Sequence, residues 1–156
     1  MKNFGLLLAM ISVLAMGITN AHAEDEGWIK DKNGCAVLNP DPQPNENIIW
    51  NGKCKNGYAE GAGTLTWFID GKLDSTSTGT WTRGKMNGKG TIVYGNGERY
   101  DGGFANDFWS GKGIYTMPDG RRYEGTFVDG NPQGEGTVTE PNGKKYKESF
   151  DDFFNN

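Results

Sequence analysis

The chain has 156 residues, 25 of them glycine, a net charge of −4 at neutral pH and one histidine. The acidic balance argues against a nucleic-acid binder, which needs lysine and arginine to neutralise phosphates, and more weakly against anionic membranes. The length fits one domain behind a leader, and nothing after the leader is long and apolar enough to span a bilayer.

Residues 1–23 read as a secretory signal peptide. Lys2 supplies the positive start, Phe4 to Ile18 an apolar run, and Ala21-His22-Ala23 a small-x-small cleavage pattern. The run falls short of the roughly 20 residues of a membrane span, so an uncleaved anchor is the weaker alternative. No cysteine lies at the cut to carry a lipid. Cleavage before Glu24 leaves the mature chain one charge more negative and without its histidine, His22. The expected destination is the periplasm or the exterior.

Residues 24–47 form an N-terminal flap or linker, dominated from Asn39 to Asn47 by Asp, Glu, Asn and Pro. Cys35 and Cys54 are the only cysteines, and in an exported chain they permit one disulfide. A metal pair is the alternative, and it lacks histidine partners. The disulfide is expected to tie the flap over the first strand and cover one open sheet edge.

From residue 48 to 150 glycine recurs in step. Gly52, Gly79, Gly102 and Gly125 are each followed eleven residues later by Gly63, Gly90, Gly113 or Gly136, with Gly61, Gly88, Gly111 or Gly134 two residues before those. This is an internal repeat of about 23 residues in four copies and a fragment, about 4.5 repeats. An aromatic column runs through Trp50, Tyr100, Tyr123 and Tyr146, broken by Ser77; a second runs through Trp81, Phe104, Phe127 and Phe150, with Cys54 in its first place. Turn pairs at Asp70-Gly71, Asn96-Gly97, Asp119-Gly120 and Asn142-Gly143 alternate with Asn56-Gly57, Arg83-Gly84 and Asp129-Gly130. Each repeat is therefore strand, turn, strand, turn.

A three-residue loop at Pro118-Asp119-Gly120 sets Tyr115 opposite Tyr123 and Gly113 opposite Gly125; the same register pairs Ile92 with Tyr100 and Val138 with Tyr146. Rings and glycines then share one face and charged residues the other. Mid-strand glycines such as Gly102 and Gly113 let a neighbouring ring lie flat across the backbone. Four extra residues between Phe68 and Thr78 lengthen the first hairpin's tip. Glu148 stands where the next glycine is due, which ends the array. The tail, residues 151–156, is expected to cover the last edge through Asp151 to Phe154.

The run Tyr100-Asp-Gly-Gly-Phe104, Gly111-Lys-Gly113 and Pro118-Asp-Gly120-Arg-Arg-Tyr123-Glu-Gly125-Thr-Phe127 resembles the MORN (membrane occupation and recognition nexus) repeat family. The resemblance spans Trp50 to Phe150. It implies an all-β fold, a single-layer twisted antiparallel array of β-hairpins, to which the disulfide-tied flap read above is added. It also implies protein-partner binding or scaffolding, with phospholipid binding in some members, which the acidic balance disfavours here.

Catalytic chemistry has few carriers. Without histidine there is no nucleophile–histidine pair and no zinc set, and no cofactor is expected. The Gly-x-Gly pairs open no helix, so they are not phosphate loops. Asp101 and Glu124 are the one carboxylate pair to weigh for glycoside hydrolysis; the basic column Arg99, Arg122 and Lys145 beside them favours surface ion pairing instead. Binding is expected of the ring face, at Trp67, Tyr94, Tyr115 and Met117, and at Phe108-Trp109, where the repeat elsewhere has Lys85-Met86 or Asn131-Pro132 and where a local lid over the sheet is the competing reading. The expected function is an exported, non-catalytic protein-interaction or scaffolding module using an aromatic sheet face or a sheet edge. A carbohydrate or cell-wall binder is the alternative, and a carboxylate hydrolase the weaker third.

Overall fold

The computed structural model describes residues 27–155; the proposed signal peptide lies outside them. Two short strands open the chain, β1 (Trp28–Lys30) and β2 (Ala36–Leu38). The first repeat is β3 (Glu46–Lys55) and β4 (Tyr58–Ile69), and β5 (Lys72–Thr82), β6 (Lys85–Met86) and β7 (Gly88–Tyr94) follow. The array continues through β8 (Arg99–Ala105), β9 (Phe108–Thr116), β10 (Arg122–Val128), β11 (Asn131–Thr139) and β12 (Lys145–Ser149), and closes with a helix, α1 (Phe150–Asn155). All twelve strands belong to one sheet. Its hairpin pairs are antiparallel, and a single parallel contact, Ala36 with Tyr58, joins β2 to β4.

The register follows from the turns. Tyr123 pairs with Tyr115, Gly125 with Gly113, Ile92 with Tyr100 and Val138 with Tyr146, as the three-residue loop requires. At that loop the Gly120 N–H donates to the Met117 carbonyl and the Met117 N–H to Arg121, with Gly120 at φ +90°. Glycine supplies that left-handed residue without a Cβ clash. The opposite turns are two-residue turns with both residues at positive φ: Asn56-Gly57, Arg83-Gly84, Asn106-Asp107 and Asp129-Gly130. Asn106-Asp107 contains no glycine, so it escaped the sequence pattern.

The extra residues of the first hairpin do not enlarge its loop. They add the pairs Phe68 with Leu73 and Ile69 with Lys72, absorb one residue in a bulge, and turn at Asp70-Gly71. Longer strands satisfy more backbone groups than a longer loop would.

Ring and glycine are interlocked on one face. A Cβ on Gly102 or Gly113 would stand 2.4 Å from the Tyr100 side chain, and one on Gly125 or Gly136 2.4 or 2.3 Å from Tyr123. Trp50 lies across Gly52 and Gly63 in the same way. Ser77 leaves the second repeat without a ring, and Met86 fills the space instead, with its methyl group over Gly79 and Gly90. The second aromatic column stands edge-on to the first: Trp81 to Trp50 at 4.8 Å and Phe104 to Tyr100 at 5.3 Å. These side chains form the core.

Both ends differ from expectation. The flap is tied by Cys35–Cys54, with 5.7 Å between the Cα atoms. Its backbone docks on the turn ends, Ala36 N–H to the Gly57 carbonyl and Leu38 N–H to that of Gly84, and no strand among the described residues pairs along the outer edge of β3. The tail forms α1, which folds over the ring face, not beside the edge of β12: Phe153 is fully buried, and Phe150 packs 5.0 Å from Tyr123 and 5.6 Å from Phe127. Ser149 caps the helix, its Oγ accepting the Asp152 N–H. Six residues make too short a helix to persist alone, so three phenylalanines packed on the sheet hold it.

Candidate interaction surface

The six residues expected to bind separate into three environments. Tyr115 is closed in, 3% exposed, between Trp109 and the helix rings Phe150 and Phe154. Trp109 lies flat on Tyr100, centroids 4.1 Å apart and planes 2° from parallel, and meets Phe127 edge-on. Trp109 thus fills the interior and Phe108 points out, 56% exposed, because alternate residues of β9 face opposite ways. Period-two counting back from Tyr115 through Gly113 and Gly111 reaches Trp109, a signal present in the sequence that treating the two as a unit overlooked.

Trp67, Tyr94 and Met117 are half-buried along the hairpin-tip side of the ring face. The Trp67 indole N–H donates to Glu46 at 3.0 Å, and the Met117 sulfur accepts from Arg121. Burial, reinforced by the carboxylates of Glu98 and Asp74, pushes the Tyr94 phenol up to about 12. Tyr146 is pushed to about 12 chiefly by its hydrogen bond to Glu140. Both phenols therefore stay neutral donors at physiological pH. Glu46, which no sequence pattern marked, also accepts from the Gln43 N–H and the Asn39 amide.

Phe108 has a companion in Val128, 50% exposed at the end of β10, and the Phe108 ring stands 3.5 Å from where a Cβ on Gly130 would lie. Two large apolar side chains thus stand open at the turn ends of neighbouring hairpins.

Asp101 and Glu124 sit on the opposite face, each paired across β9 with Ile114. Burial alone would raise the Asp101 carboxyl, but hydrogen bonds from Arg99 and Thr91 outweigh it and hold the group below the ordinary range. The carboxylate is engaged at 2.5 Å by Arg99 and at 2.6 Å by Thr91 on an open surface. A general acid needs its pKa raised; this one is lowered. Among the described residues no cluster of three His, Cys, Asp or Glu is placed to hold a metal, and no helix is long and apolar enough to cross a membrane.

Two clefts flank Trp28. One, about 570 Å³, lies between Ile29, Pro40, Pro42 and Glu46, and its carboxylate is already committed to Asn39 and Trp67. The other, about 480 Å³, is lined by Trp28, Tyr58, Arg83 and Lys85 with Thr82, Asn87 and Asn106.

A family model described as the MORN repeat matches residues 55–71, 78–99, 100–121 and 123–145, more than half of the chain. A search of curated proteins finds no match.

Proposed function

The chain belongs to the MORN repeat family, and from that premise we propose that it is an exported, non-catalytic module that binds a protein partner through the apolar patch at Phe108 and Val128. MORN repeats generally mediate protein or membrane interactions. The observation that carries the choice of surface is the exposure of Phe108. The repeat supplies Lys85 and Asn131 at the equivalent places, so the fold does not require a ring there. An exposed aromatic with an aliphatic neighbour is the kind of anchor that partner surfaces bury. Trp67, Tyr94 and Met117 offer a second, shallower rim. Trp109 and Tyr115 support the surface from inside.

The lowered Asp101 carboxyl and its open setting favour binding over hydrolysis. Export draws support from the leader pattern and from the Cys35–Cys54 bond, which persists in oxidising compartments; sequencing the N-terminus of the purified protein should give Glu24. For the surface, a photo-reactive residue at 108 should capture a discrete partner in the producing cell, and the same probe at Ile49, equally open but on β3 of the first repeat, should not. Equal capture at both positions, or none at 108, counts against the Phe108 surface.

A further inference from the structure

We propose that the cleft between the flap and the turns of the first repeats binds an acidic oligosaccharide, a chain of uronic-acid sugars. Its volume of about 480 Å³ lies within the roughly 300–1,000 Å³ of ligand sites. Part of the lining is aromatic: Trp28 and Tyr58 meet edge to face at 4.9 Å, both half-buried, so ring surface remains open to the cleft. The C–H face of a sugar ring carries partial positive charge and packs on the negative face of such a ring.

The lining is also cationic, through Arg83 and Lys85, in a chain whose net charge is −4. No hydrogen bond or ion pair among the described residues engages the Arg83 guanidinium or the Lys85 ammonium; the bond from Arg83 to Glu60 uses the backbone N–H. A guanidinium is a planar fork that matches a carboxylate. Asp107, bound to the Met86 N–H at 2.6 Å, lies near Lys85, and the Glu60 carboxylate lies near Arg83 through its backbone N–H. Asn106 and Thr82, at the rim, supply the amide and hydroxyl that sugar hydroxyls need.

Arg83 is also out of place by the rules of its own turn. The first residues of the equivalent turns are Asn56, Asn106 and Asp129, which tolerate left-handed backbone; Arg83 holds φ +49°. An ordinary side chain is disfavoured there, and such strain gathers at functional sites. Gly84 beside it is needed for the cleft to close. A Cβ there would stand 2.7 Å from both the Trp28 ring and the Ala36 carbonyl, so only glycine lets the flap seat its tryptophan.

The test uses the oxidised full-length protein, titrated calorimetrically at physiological salt with oligogalacturonate, its methyl-esterified neutral form, and a hexaglutamate peptide. Oligogalacturonate should bind saturably, shift the Trp28 indole N–H resonance, and bind at least about tenfold tighter than the neutral form, the scale of a lost charged hydrogen bond. Arg83→Asn with Lys85→Gln should weaken binding about tenfold or more with the circular dichroism unchanged, because asparagine suits the turn. Absence of binding, equal or tighter binding of hexaglutamate, or undiminished binding by the folded double variant overturns the proposal. If the variant does not fold, the Trp28 resonance decides: a shift with oligogalacturonate alone supports the site, and no shift overturns it.

Discussion

The repeat's glycines are of two physical kinds. Gly111 and Gly134 take φ +73° and +65° with open space where a Cβ would stand, so only the backbone demands glycine. Gly113 and Gly136 have no such φ, yet a Cβ would strike a tyrosine ring. Gly113→Ala should therefore destabilise by about 1–3 kcal/mol, the usual cost of overpacking, and Gly111→Asn by well under 1 kcal/mol, since asparagine enters the left-handed region. Urea unfolding of the two variants checks this; equal losses would show that one cause governs both columns. The period of the glycines was legible in the sequence, and so was the ring that lies across Gly102. Which glycine of each Gly-x-Gly answers to space and which to backbone was not, because sequence spacing carries no φ.

Among the elements, α1 has the least support from its own sequence and the most from its packing. It is six residues long, and its Phe153 is fully buried against Tyr123 while the Arg121 guanidinium stands 5.3 Å over the Phe153 ring. Phe153→Ala should cost about 3–5 kcal/mol and increase binding of a hydrophobic dye, as Tyr115 and Tyr123 become open to solvent; thermal melts with dye titration check both. The expectation that the tail covers an edge failed for a plain reason. Three phenylalanines gain more by leaving water against a ring face than by lying along a strand edge, and that contact is too distant in sequence for local pattern to show. It also explains why Tyr115, expected among the binding residues, is enclosed.

For the whole molecule, a hairpin array holds itself together mainly through neighbours. The Cys35–Cys54 bond, with a sequence separation of 19, adds a link of about 3 kcal/mol by loop entropy, confined to one end. Replacing both cysteines with serine should speed hydrogen exchange at Trp28–Lys30 and Ala36–Leu38 and leave Arg122–Val128 unchanged. Uniform acceleration would mean that the sheet is one cooperative unit and the flap no separate part of it.

The repeat, its turns apart from Asn106-Asp107, the register of its three-residue-loop hairpins and the disulfide partners are legible in the chain, because turn chemistry and period-two alternation act over a few residues. Tertiary packing alone set where the flap and the C-terminal helix lie. It folded α1 over the rings and left Phe108 outside, and it seated Trp28 on Gly84 with Arg83 at the mouth of a cleft. Those placements depend on which apolar surfaces remain uncovered once the sheet has formed, and that follows from the assembled array and not from any stretch of the chain.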